Sequence, residues 1–296
     1  MTQLSSSSIA IVGMGAIGTL LAYHWRELSP FCVSRNQKPC HRQLIITAQH
    51  QHTLELPVWQ ANQHQHNPLE WLVVTTKASD TLTALKPLES AMASVKQILL
   101  LQNGMGQQQQ IADWLQTLEK APELWAGIST EGAYRRGDEQ VVYAGHGETV
   151  IGRWTEHHNQ ASSDPVLPRV SEVNDIQQRI QAKLAINAVI NPLTAVFRCR
   201  NGELVENPAY KQKLEQLAEE TQAFFEAHGW QLPFSLKQRA AEVAQATAAN
   251  QSSTLQDILN QRPTELAYIN GFLLRQAQQQ QDLPLTRQLM QQLGEI

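Results

Sequence analysis

The sequence predicts an α/β protein, with a sheet-bearing N-terminal domain followed by an all-helical C-terminal one. Three observations carry this. Short apolar runs at Ile9–Val12, Trp71–Thr76 and Gln97–Leu101 read as strands buried on both faces, as in a parallel sheet. The first of them runs straight into Gly13-Met-Gly15-Ala-Ile-Gly18. From about Asn174 onward the apolar residues recur with the period of helices. A chain of 296 residues exceeds one ordinary core, and the boundary is expected near residue 172, giving domains 1–172 and 173–296.

Hydrophobic residues make up 42% and charged residues 17%, with a formal charge of −4 and no long basic run. That composition describes a globular chain and argues against nucleic acid or an anionic membrane as the main partner. Three cysteines, Cys32, Cys40 and Cys199, have no metal-type spacing and suit a reducing cytoplasmic compartment. Residues Met1–Ser8 lack the features of a signal peptide. No apolar run is expected to reach bilayer-spanning length.

Taken in order, Ile9–Val12, the glycine turn and a helix over Thr19–Leu28 form the strand–turn–helix context of a dinucleotide fingerprint. Gly13, Met14, Gly15, Ala16, Ile17 and Gly18 would let backbone amides at the helix start hold a pyrophosphate. The second strand is expected at Phe31–Ser34. Where an NAD site places a carboxylate near this strand's end, the chain has Ser34 and Arg35, with Lys38 and Arg42 nearby. A guanidinium suits a 2′-phosphate, which favours NADPH over NADH. The alternative is an ordinary exposed arginine.

Leu44–Thr47 and Thr53–Trp59 read as further strands. His50, His52, His64 and His66 lie in polar loops and are expected at the surface, so no metal site is expected. Lys77 and Asn103 stand after strands of the same sheet, on the side where ligands bind. Leu124–Thr130 is another strand, and Glu131-Gly132-Ala133 is expected to turn the chain. Val141–Tyr143 and Thr149–Ile151 are expected to pair with each other, antiparallel. Residues 156–168 are polar and irregular. Helices are then expected over 175–197, 207–228, 235–249, 254–259, 263–280 and 284–293, with Gln-rich patches at 107–110 and 278–281 as solvated helix faces.

The segment Lys183–Thr194 is the most informative. Positions four apart in a helix fall on one face, so Lys183, Asn187, Asn191 and Thr194 form a polar stripe on an otherwise apolar helix. Polar groups buried this way must find partners or line a cavity. A solvated surface lysine is the competing reading.

Together GMGAIG, Lys77, LQNGMG, KLAINAVINPLTAVFRCRNGEL and SSTLQDILNQRPTELAYINGFL resemble the ketopantoate reductase family over nearly the whole chain. The resemblance implies a Rossmann-type N-terminal domain, an all-helical C-terminal domain, an active site in the cleft between them, and NADPH-dependent reduction of ketopantoate to pantoate. It implies Lys183 as the general acid and Asn187, Asn191, Asn201 and Ser253 as substrate-binding residues. Glu265 would act where cofactor and substrate meet. The implied cofactor contacts are residues 13–18, Arg35, Lys77, Asn103 and Ala133. Thr254 departs from the family's usual apolar residue, and the tail after Gly294 is short.

The chemistry agrees with these residue types. Hydride transfer to a ketone builds charge on oxygen, where a lysine can donate a proton, and no histidine occurs between His158 and His228. Burial would lower the lysine's pKa, whereas Glu265 or a substrate carboxylate would raise it. The sequence leaves that balance open. By itself Glu265 reads equally as a carboxylate favoured at a helix start, and Asp257 reads as structural. Two other functions stay open: reduction of another 2-keto acid or imine, and a non-catalytic NADPH-binding protein. Oligomeric state, monomer or homodimer, is not encoded in any motif.

Overall fold

The computed structural model describes residues 9–47, 49–59, 69–154, 167–277 and 282–296. His64, His66, the Gln patch at 278–281, the N-terminal residues 1–8 and most of the polar stretch 156–168 lie outside them. The chain packs as two compact units, Met1–Gln102 with Gln107–Ile176, and Asn103–Gly106 with Gln177–Ile296.

In the first unit, β1 (Ile9–Val12) lies parallel between β2 (Phe31–Val33) and β5 (Leu69–Val74). β6 (Val95–Leu100) and β7 (Glu123–Ser129) continue the parallel sheet beyond β5. β10 (Thr149–Arg153) joins antiparallel to β7, and β11 (Val170–Glu172) parallel to β10. Among the described residues the order is β11-β10-β7-β6-β5-β1-β2. The chain leaves β1 to one side for β2 and returns on its other side for β5. This reversal is the switch point at which open α/β sheets bind ligands. Val12, Leu72, Val73, Val74, Ile98 and Leu99 are all buried, which explains the continuous apolar runs.

A second sheet has the order β4-β3-β9-β8. It comprises the hairpin of β3 (Cys40–Ile45) and β4 (Gln51–Leu56), with β8 (Gly132–Arg136) and β9 (Gln140–Gly145). Two expectations are corrected here. Val141–Tyr143 does not pair with Thr149–Ile151, because Gly145 to Gly147 carry the chain from this sheet into the other. Nor is Ala133 in a turn. It is the second residue of β8, opposite Tyr143, and packs against a cluster with Leu20 and Leu44.

The second unit is helical. It contains α4 (Ile176–Phe197, whose first residue belongs to the first unit), α5 (Glu203–Glu206), α6 (Pro208–Ala227), α7 (Leu236–Ala246), α8 (Ser253–Leu259), α9 (Asn270–Gln276) and α10 (Pro284–Gln292). The first unit supplies α1 (Ala16–His24), α2 (Thr81–Leu85) and α3 (Gln107–Leu115). By length and composition alone, α4 could cross a bilayer, contrary to expectation, yet 61% of its apolar window is buried within the protein. The helix expected from residue 263 begins only at Asn270, after a short 3₁₀ turn at Leu266–Tyr268. Glu265 therefore does not sit in the first turn of an α-helix, and the helix dipole does not explain its carboxylate.

Pro192 lies inside α4. Proline has no N–H, so the carbonyl four residues earlier, on Ala188, loses its helical partner. Asn270, fully buried, donates its Nδ2–H to that carbonyl at 2.9 Å. The asparagine thus compensates for the proline. Asn270→Ala is expected to destabilise the protein by about 1–3 kcal/mol, the cost of an unsatisfied buried acceptor. Urea unfolding should show a lower midpoint with an unchanged slope.

Candidate active site

The glycine loop of the first unit has the geometry of a phosphate cradle. Gly13 has φ +93°, and a Cβ there would lie 2.6 Å from the Thr76 amide nitrogen. A Cβ on Gly18 would lie 2.2 Å from the Gly13 carbonyl oxygen, so this glycine lets α1 close onto the loop. Gly15 is different: nothing lies within 4 Å of its Cβ position. It opens the space a pyrophosphate would fill. No acidic residue lies in the first turn of α1 and no side chain caps it, so its amides are left to bind an anion. The residues fit a dinucleotide.

Two side chains that the sequence did not single out hold this loop. Thr75, just after β5, donates its hydroxyl to the Gly13 carbonyl at 2.5 Å. Arg42, noted only as a neighbouring cation, donates Nε–H to the Met14 carbonyl at 2.9 Å. Arg35 lies in the exposed loop after β2 with Lys38, and Lys77 lies just after β5, partly buried. Arg35 and Lys38 thus put two exposed positive charges on the loop that follows β2.

In the second unit, α4 carries Lys183 and Asn187, both partly buried, and Asn191, which is 5% exposed. Burial lowers the Lys183 pKa from 10.5 to about 8, and the Glu265 charge opposes that shift. Of these two effects burial is the larger. Glu265 Oε2 accepts a hydrogen bond from Asn103 Nδ2 at 3.0 Å. The Asn103 segment is held there by its backbone: Met105 N–H donates to the Tyr268 carbonyl at 2.8 Å. A Cβ on Gly104 would lie 2.3 Å from that same oxygen, and Gly104 has φ +86°, so glycine is required twice over. Asn103 is packed with the helical unit, where it holds the Glu265 carboxylate.

Thr194 does not share the open stripe. It is fully buried and its hydroxyl lies 2.7 Å from Ser252 Oγ. Ser252 in turn caps α8, accepting from the Leu255 N–H at 3.1 Å. The pair fastens α8 to α4 and leaves Ser253, the next residue, exposed. Asn201 is 8% exposed and donates Nδ2–H to Thr247 Oγ1 at 2.8 Å. Its Oδ1 has no hydrogen-bond partner among the described residues, leaving an acceptor for a hydroxyl group. Among the described residues no group of three or more histidine, cysteine or acidic side chains could hold a metal.

The glycine cradle of the first unit is the part that binds a dinucleotide, and the buried lysine of the second, its pKa lowered to about 8, is the part that moves a proton: the two components of a nicotinamide-dependent oxidoreductase. Family models described as ketopantoate reductase PanE/ApbA and as its C-terminal part match residues 9–156 and 175–296, respectively. The chain belongs to the ketopantoate reductase family. It is 39% identical over 212 residues to the 2-dehydropantoate 2-reductase of Escherichia coli O157:H7, covering 70% of this chain and 67% of that protein. The corresponding enzyme of Archaeoglobus fulgidus is 30% identical over 282 residues, covering 92% and 91%. The crystal structure of a probable 2-dehydropantoate 2-reductase from Bacillus subtilis aligns with a TM-score of 0.74 at 26% identity, covering 97% of this chain and 99% of that one. A D-mandelate dehydrogenase solved with NADH and anilino(oxo)acetate, with a TM-score of 0.76 at 18% identity and 97% coverage of both chains, shares the fold.

Proposed function

We propose that this chain reduces 2-dehydropantoate (ketopantoate) to pantoate, with Lys183 as proton donor. NADPH, when bound, supplies the hydride. The observation that carries the reading is the setting of Lys183: burial brings its ammonium to about 8 while Glu265 keeps it from falling further. An acid with a pKa near the working pH is both present in its protonated form and able to release the proton as the ketone oxygen becomes negative. Glu265 holds the ammonium charged, and Asn103 holds Glu265.

Asn187 and Asn191, from the same face of α4, and the exposed Ser253 offer donors to the substrate's carboxylate and carbonyl. Asn201 Oδ1 offers an acceptor to its hydroxyl. On the first unit, residues 13–18 would hold the pyrophosphate, Arg35 the 2′-phosphate, and Lys77 and Ala133 the remainder of the nucleotide. The same proposal assigns residues 1–172 to cofactor binding and 173–296 to the substrate and catalysis. It places the protein in the cytoplasm, a setting supported by its three free cysteines.

The test is NADPH oxidation by the purified protein with ketopantoate, beside NADH and a panel of other 2-keto acids. Rapid turnover specific to NADPH and ketopantoate is expected. Preference for another 2-keto acid would retain the chemistry and replace the substrate. Tight NADPH binding with no turnover on any of them would remove the catalytic reading.

A further inference from the structure

Asn201 is fixed by its backbone before its side chain is considered. Thr247 closes the C-terminal end of α7, and the chain then turns through residues 248–250. The Asn201 N–H donates to the Asn250 carbonyl at 3.0 Å, and the Gly202 N–H to the Ala248 carbonyl at 3.1 Å. Arg200 Nη1 donates to the Ala249 carbonyl. A Cβ on Gly202 would lie 2.6 Å from Ala248 Cβ, so the two turns approach as closely as glycine allows. With its main chain pinned, Asn201 keeps one freedom that matters to a ligand. A half-turn of its amide would exchange Oδ1, an acceptor, for Nδ2, a donor.

The Thr247 hydroxyl removes that freedom. A hydroxyl has one proton to give and lone pairs to accept with. Thr247 gives its proton to the Val243 carbonyl, one turn back in α7, at 2.7 Å. Toward Asn201 its oxygen can therefore only accept. Asn201 answers with Nδ2 at 2.8 Å, which leaves Oδ1 as the outward group, buried and with no hydrogen-bond partner among the described residues. The reversed amide would set Oδ1 against an oxygen with no proton to share.

We propose that Thr247 is a positioning residue that sets substrate specificity: by holding the Asn201 amide in this orientation it makes the site demand a hydrogen-bond donor, and so selects 2-keto acids that carry a hydroxyl group. The inference rests on the reading, made above, that Asn201 Oδ1 receives the substrate hydroxyl. A buried acceptor without a partner is costly. A substrate hydroxyl supplies the partner, whereas a substrate lacking it leaves the acceptor unpaired, which is how a polar site rejects an analogue short of one hydroxyl. An amide free to turn would present no fixed acceptor and would discriminate less.

The test compares kcat/KM for ketopantoate and for trimethylpyruvate, which is ketopantoate with hydrogen in place of the hydroxyl group. Thr247→Val should lose about 10-fold or more on ketopantoate and stay within roughly twofold on trimethylpyruvate, so that the ratio between the substrates collapses. Thr247→Ser keeps the hydroxyl and should retain the wild-type ratio. Thr247→Ala, which needs less room than threonine, should repeat the valine result. Adding Thr247→Val to Asn201→Ala should lower the ratio no further than Asn201→Ala alone, because the two residues act in series. An unchanged ratio in Thr247→Val, or equal loss of both substrates in the valine and alanine variants, would overturn the proposal, the second outcome by showing that Thr247 only supports the fold. Failure of the underlying reading shows separately, as an unchanged ratio in Asn201→Ala, which would remove Asn201 from the hydroxyl group and the proposal with it.

Discussion

Lys183→Ala is expected to reduce kcat by about 10²–10⁴-fold, the usual contribution of a positioned general acid, with NADPH affinity unchanged. The division follows from where the residue lies. Lys183 projects from α4 in the helical unit, whereas the glycine loop, Arg42 and Thr75 belong to the sheet unit. Single-turnover kinetics and a fluorescence titration with NADPH measure the two separately. An unchanged kcat would remove Lys183 from the reaction.

The pH profile gives an independent check. The ammonium is the active form, so activity should be full below its pKa and decline as pH rises through about 8. Glu265 is the group that raises this pKa against burial. Glu265→Gln should therefore move the alkaline limb to lower pH, whereas a purely structural glutamate would leave the limb in place.

Arg35→Ala is expected to weaken NADPH roughly 10- to 100-fold, the range for one charge-assisted hydrogen-bonding contact to phosphate. NADH, which has no 2′-phosphate, should bind almost as before. Arg35 is exposed on the loop after β2, so the substitution removes charge without opening a cavity, and the fold should be unaffected. The ratio of the two KM values is the decisive quantity. Raising the salt concentration should erode the NADPH advantage in the wild type and have less effect in the variant, because exposed charge pairs are screened.

Much of this protein is legible in its residue order. Ile9–Val12 running into three spaced glycines announces β1, the turn and α1, because few other arrangements require those glycines together. The apolar character of Lys183–Thr194 announces a buried helix, and its lysine and asparagines announce a site. Local pattern suffices wherever a residue's role depends on its own element.

The tertiary structure decided what depends on partners distant in sequence. Strand pairing was one such matter: β9 and β10 look like a hairpin, yet each finds partners elsewhere, since a strand's own pattern says which face is buried and not which edge it joins. Asn270 was another, because the carbonyl it satisfies was left open by a proline 78 positions earlier, at Pro192. The acidity of Lys183 was the third. Its charge is set by the solvent excluded around it and by Glu265, and both exist only after the chain has folded.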